Sequence, residues 1–204
     1  MQDELDILRE VGSIAAAHGS IALSEILGRR INLFVPSTDI VSCNGFPTKI
    51  NVEKIGIAVI SKLLTGLKGE VVFLLDEKNA FKMIDLSYRI EKVDKKAGVI
   101  TEIGMSVIKE IGSIIIAAYI SALSMMLKRL ILPPPPTLIS GSIEEILRIM
   151  LSGYQDEDYA MLIEATFEEP KEKIKGGFYL VLTPEATSDI QEVCKKMLRD
   201  LEKP

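Results

Sequence analysis

Apolar and small residues recur at helical spacing through residues 3–28 and again through 97–128, each time around a thin polar stripe. The spacing predicts two long helices, the first with Asp3 as N-cap and Gly28 as its stop. Ile31, Leu33 and Val35 fall on one side of an alternating run, which predicts a strand over 29–36 broken by Pro36. Residues 37–54, with Asn44-Gly45 and Pro47, read as a turn and irregular chain. An apolar run at 55–64, a glycine-bearing turn at 65–69 and a second run at 70–75 predict a hairpin. Asp76 then caps a helix over 77–90 whose Ala80, Met83, Ile84 and Leu86 face inward, and 91–96 is a solvated charged linker.

The second half follows the same plan. After the helix at 97–128, residues 130–132 begin the counterpart of the first strand, and four prolines, 133–136, mark an edge or an exit from the sheet because they offer no N–H donors. Ser142 with Glu145 three residues on reads as a capping box opening a helix to about 151. Strands at 158–168 and 177–182 flank a charged turn, and Pro184 opens a closing helix that runs to about 201.

The two halves share more than a plan. Glu10, Gly12, Ser13, Ile14, Ala17, Ala22-Leu23-Ser24, Leu27, Arg29 and Pro36 recur as Glu110, Gly112, Ser113, Ile114, Ala117, Ala122-Leu123-Ser124, Leu127, Arg129 and Pro136, at a constant offset of 100 with no gap. This is an internal duplication with a period too long for a solenoid repeat, so the expected product is two halves related by a pseudo-twofold axis. Joining the two hairpins into one sheet is the cheapest way to bury both. The expected fold is a single α/β (α+β) domain over 1–204, with repeat one at about 3–92 and repeat two at about 97–204. A central, antiparallel-rich sheet is flanked by the two long motif helices.

Within each copy a polar trio sits at i, i+4, i+7: Asp6, Glu10 and Ser13, then Ser106, Glu110 and Ser113. That spacing stacks the three side chains on one helix face over about two turns. Gly12 and Gly112, each costing about 1 kcal/mol against alanine inside a helix, imply close approach by another helix or by a partner's backbone.

This pattern resembles the CheC/CheX/FliY family of chemotaxis phosphatases, most closely CheC. Its motif reads Asp or Ser, three residues, Glu, two residues, Asn, twenty-two residues, Pro. Asp6, Glu10, Ser13 and Pro36 fall at those spacings, as do Ser106, Glu110, Ser113 and Pro136. Both motif asparagines are serine here. The resemblance implies hydrolysis of the aspartyl phosphate of the response regulator CheY. It casts Glu10 and Glu110 as docking groups against a lysine beside the phosphoryl site, and Ser13 and Ser113 in the place of the water-orienting asparagines. Asp6, Ser106, Gly12, Gly112, Pro36 and Pro136 are supporting residues. The protein needs no cofactor of its own, since Mg2+ belongs to the regulator. The receptor deamidase CheD is a second implied partner. A serine hydroxyl can hold a water but ends about one bond nearer the backbone, and a misplacement of ~1 Å can cost ~100-fold in rate. Docking without fast turnover is therefore expected: a weak phosphatase, or a catalytically degenerate regulator that binds phosphorylated CheY or CheD. A flagellar-switch scaffold is a third expectation.

Composition narrows the classes. A net charge of −5 with no basic run argues against nucleic acid, and a single histidine, His18, cannot build a histidine metal site or a catalytic triad. His18 is expected as a packed or rim residue. Cys43 and Cys194 stand far apart, as reduced thiols do in the cytosol, and the acidic start Met1-Gln-Asp-Glu lacks the positive charge of a secretion signal, so the expected location is cytoplasmic. Residues 111–127 carry no charge and imitate a membrane span, but the matching stretch of the first half holds His18 and Glu25, so a buried core helix is expected and no membrane insertion.

Overall fold

The computed structural model describes residues 2–34, 37–41, 54–91, 102–154 and 159–201. In chain order they form α1 (Gln2–Leu27), β1 (Asn32–Leu33), β2 (Ser37–Val41), β3 (Ile55–Leu63), β4 (Gly69–Asp76), α2 (Glu77–Glu91), α3 (Glu102–Leu127), β5 (Thr137–Ser142), α4 (Ile143–Ser152), β6 (Ala160–Glu169), β7 (Ile174–Leu182) and α5 (Pro184–Leu201).

One seven-stranded sheet runs β1-β6-β7-β4-β3-β5, with β2 also pairing β6, and every pairing is antiparallel. The halves exchange their edges. Strands β1 and β2 of the first half pair with the hairpin of the second, while β5 of the second pairs with the hairpin of the first. The hairpins meet at β4 and β7, Val72 opposite Tyr179, where the pseudo-twofold axis passes. Neither half has a complete sheet alone, which is why the two repeats fold as one domain.

The sheet has two apolar faces because its residues alternate sides. Ile57, Val59, Val71, Phe73, Ile163 and Leu180 face α1, α2, α3 and α5. On that face Phe73, Phe167 and Phe178 form an aromatic cluster with ring centroids 5.1–5.9 Å apart. Ala58, Ile60, Val72, Leu74 and Val181 face Ile143, Ile146, Leu147, Met150 and Leu151 around α4. Ser142 accepts from the Glu145 N–H and Glu145 accepts from the Ser142 N–H, so the capping box that the sequence predicts is present. Asp76 accepts from the Asn79 N–H at 2.8 Å, as expected of a cap for α2.

Both motif helices are 26 residues long and end alike. The Arg29 N–H reaches the Ser24 carbonyl at 3.1 Å, and Ser24 Oγ donates to the Arg29 carbonyl at 2.6 Å. The Arg129 N–H reaches the Ser124 carbonyl at 3.1 Å, and Ser124 Oγ donates to the Arg129 carbonyl at 2.5 Å. The recurrence of Ser24/Ser124 is thus a helix-stop latch. Between latch residues lies a left-handed residue, Gly28 at φ 56° and Lys128 at φ 52°.

Several expectations need correction. Helix α1 begins at Gln2, so Asp3 lies inside the first turn rather than at the N-cap. Of the strand expected over 29–36, Asn32–Leu33 pair in the sheet while Val35 and Pro36 lie outside the described residues, and Ser37–Val41, expected to be irregular, is a strand. Its polar residues are tolerated because it is an outer strand that, among the described residues, pairs with β6 alone. Residues 130–132 form no strand; Leu130 and Leu132 are exposed, and pairing begins only after Pro136, once N–H donors return. Pro36, Cys43, Asn44-Gly45, Pro47, the linker at 92–96 and the helix start at 97 lie outside the described residues.

Helix α3 is, among the described residues, the one helix long and apolar enough to cross a membrane. Half of that apolar window is buried inside the protein, where Ile108, Ile115, Tyr119 and Leu123 pack into the core.

Candidate functional site

Helices α1 and α3 pack against each other on one face of the sheet, and each rests on a strand of the other half: α1 on β6, α3 on β3. At Gly12 and Gly112 the helices approach the sheet too closely to admit a Cβ without a shift. A Cβ on Gly112 would lie 2.6 Å from Val59 Cγ2, and one on Gly12 would collide with Ile163 Cγ2. Val59 and Ile163 are equivalent positions of β3 and β6, so the two glycines do the same work twice. What approaches them is the sheet, not another helix or a partner's backbone, and this corrects the expectation on both counts. The glycines lower the helices onto the core and so fix which face turns outward.

On that outward face stand the polar trios. Asp6, Glu10, Ser106 and Glu110 are exposed, and Ser13 and Ser113 are half-buried at the foot of each stripe. Glu10 and Glu110 form neither a hydrogen bond nor an ion pair among the described residues, so both carboxylates are available to a partner. Asp6 pairs with Arg9 at 3.1 Å on the same helix.

The copies differ at their serines. Ser113 Oγ donates to the Lys109 carbonyl at 2.6 Å, and Ser106 Oγ donates to the Glu102 carbonyl at 2.9 Å. Both are bonds one turn back along the helix, which hold the hydroxyl against the backbone. Ser13 makes no such bond among the described residues. The α3 hydroxyl can still accept from a water through its lone pairs, but its proton is committed.

Sequence reasoning missed the apolar flank of each glutamate. Ile14 and Ile114, one turn beyond Glu10 and Glu110, are 38% and 42% exposed. Their exact repetition beside a glutamate was the available signal. Pro136 is half-buried between α3 and β5, whereas Pro36 lies outside the described residues. His18 is exposed on α1. Cys194 is a free, half-buried thiol whose pKa is raised by burial. Among the described residues no three His, Cys, Asp or Glu side chains converge on a metal position.

No protein-family model matches the chain. It is 26% identical to the CheY-P phosphatase CheC of Bacillus subtilis (strain 168) over 141 residues, a stretch that takes in 66% of this chain and 65% of that relative's length. The fold matches Thermotoga maritima FliY with a TM-score of 0.74 at 22% identity, covering 96% of this chain and 98% of that one. It also matches the structure of the CheX-CheY-BeF3-Mg+2 complex from Borrelia burgdorferi with a TM-score of 0.53 at 13% identity, covering 85% and 96% of the two chains. The chain is thus similar in sequence to CheC over 66% of its own length, and it shares the fold of FliY and CheX.

Proposed function

We propose that this protein acts on phosphorylated CheY in chemotaxis, as a CheC-like aspartyl-phosphate phosphatase of low turnover. The observation that carries the reading is the pair of outward glutamates, Glu10 and Glu110, without a partner among the described residues and each three residues before a serine on twin helices. The sequence likeness to a CheY-P phosphatase supports it, as does the fold shared with CheX, a protein crystallised with CheY.

In this reading each glutamate docks against a cationic side chain beside the regulator's phosphoryl group, a charge-assisted contact that strengthens as water leaves the interface. The serine three residues on then faces the phosphorus. A water attacks in line, the aspartyl oxygen leaves, and the products are inorganic phosphate and the regulator's free aspartate. Chemistry of this kind depends on placing the water and neutralising charge, not on a covalent step by the protein. The regulator carries the Mg2+. A serine must place the water from a shorter reach than asparagine, so turnover is slow. Under this reading the protein works in the cytoplasm alongside its regulator.

The committed hydroxyl of Ser113 favours a second reading, a catalytically degenerate protein that binds phosphorylated CheY or CheD without hydrolysis. One experiment separates them: the protein is mixed with a cognate CheY, Mg2+ and acetyl phosphate, and phosphoryl loss is followed. Slow but accelerated loss supports the phosphatase. Binding with loss at the regulator's intrinsic rate supports the binder. No interaction with CheY in either state rejects the proposed action on CheY.

A further inference from the structure

A cleft of about 870 Å³ lies away from the motif helices, and none of its lining residues comes from α1 or α3. Its floor includes Leu74, Ile143 and Tyr179, which belong to the apolar cluster on the α4 side of the sheet. Among the described residues, the rim carries five lysines, Lys54, Lys78, Lys82, Lys173 and Lys175, against one lining carboxylate, Asp76. The whole chain carries a net charge of −5, so this is a concentration of positive charge against the overall sign.

The lysines are unequally engaged. Lys54 reaches Asp76 at 3.4 Å, and Lys175 reaches Glu168 at 3.5 Å, both as exposed ammonium groups whose pairs are weak and readily exchanged. Lys82 donates to the Glu172 carbonyl at 2.8 Å and so braces the β6–β7 turn. Lys78 and Lys173 are exposed and make no ion pair among the described residues.

Shape selects the kind of anion. The lining runs from Phe34, next to β1, across β6, β7 and β4 to Ile143 beside β3. That crosses about four inter-strand spacings of ~4.8 Å, or ~19 Å. An extended chain rises ~3.3 Å per residue, so the trough accommodates about six residues. We infer that this lysine-rimmed trough is a docking site for an extended, acidic segment of a protein partner, with apolar side chains on the floor and carboxylates against Lys78 and Lys173. The surface is separate from the motif helices, so a partner held here leaves Glu10 and Glu110 free.

The test uses the full chain and a fluorescein-labelled hexapeptide in which Glu and Asp alternate with Leu, beside its Gln and Asn counterpart and ATP as a compact polyanion. The acidic peptide is expected to bind at least ~10-fold more tightly than the neutral one, and to weaken several-fold between ~50 and ~200 mM salt. Lys78→Glu with Lys173→Glu should weaken it a further ~10-fold or more at low salt. A glutamate at position 78 lies in the first turn of α2, where an acid suits the helix dipole, so an unchanged melting temperature should accompany the loss. Equal binding of acidic and neutral peptides, or unaltered binding by the double variant, overturns the inference. So does ATP binding where the peptide does not, which would make the trough a small-anion site.

Discussion

Ser113 Oγ donates to the Lys109 carbonyl at 2.6 Å, one turn back on α3. Under the proposed function, the hydroxyl that would stand in for a water-orienting amide is thus held down on its own helix. An asparagine at this position extends about one bond further and offers a carbonyl and an amide that a helix interior cannot satisfy as neatly. Ser113→Asn and Ser13→Asn are therefore expected to raise the rate of phosphate release from phosphorylated CheY, by ~10-fold or more in the double variant, since ~1 Å of placement can be worth ~100-fold. Phosphate release in single-turnover mixing checks this. An unchanged rate in the double variant would mean that serine is not what slows hydrolysis.

The two glycines make a packing prediction. Gly112→Ala places a methyl 2.6 Å from Val59 Cγ2 and 2.7 Å from Val59 Cβ, and Val59 is fully buried. Overpacking of this kind costs about 1–3 kcal/mol, offset in part by the ~1 kcal/mol that alanine gains in a helix. Urea unfolding should show a net loss in Gly112→Ala. The combination with Val59→Ala should lose less than the sum of the two single changes, because both γ-methyl contacts vanish while the one to Val59 Cβ at 2.7 Å stays. Strict additivity would separate the two residues energetically.

At the helix stops, Lys128 holds the left-handed conformation that Gly28 holds in the first copy, at φ 52° and 56°. A side chain costs roughly 1 kcal/mol there. Lys128→Gly should raise stability by up to ~1 kcal/mol, and Gly28→Ala should lower it by about as much. Thermal or denaturant unfolding of both variants reads the sign directly.

Glu70 on β4 is 5% exposed, and burial pushes its carboxyl from 4.5 up to about 7, with Lys62 at 3.8 Å pulling partly the other way. Between about pH 4.5 and 7 the folded protein keeps a proton that the unfolded chain has lost. Stability attributable to this group therefore falls as pH rises through that window, by on the order of 3 kcal/mol, and is level above it. Glu70→Gln should match the native protein near pH 4.5 and exceed it near pH 8. A difference between the two proteins that does not change with pH would contradict the shift.

Much of the architecture was legible because it was written twice. The offset of 100 places two helices, two latches and two glycines in register, and Ser142 with Glu145, Asp76 and Pro184 marks the other helix starts. What escaped were the edges. Ser37–Val41 carries no apolar alternation because it is held by backbone pairing to β6 alone, and residues 130–132 look like a strand but precede prolines that cannot pair. The crossing of edge strands between halves leaves no local trace, since it is a matter of which hairpin each strand meets. At the site, the spacing placed Glu10 and Glu110 on one helix face each, and both are exposed. The exposed Ile14 and Ile114 were invisible as surface residues because an isoleucine beside a glycine in an apolar helix looks like core.

The most direct measurement is the affinity of this chain for CheY with and without its phosphoryl group, for the native protein and for Glu10→Gln combined with Glu110→Gln. A desolvated charge-assisted contact is worth about 1.5–3 kcal/mol. The native chain is therefore expected to prefer phosphorylated CheY by ~10-fold or more, and the double variant to lose that preference while melting at an unchanged temperature. Equal binding of both CheY forms by the native chain, or a preference that survives both substitutions, would contradict the assignment of the paired glutamates as its grips.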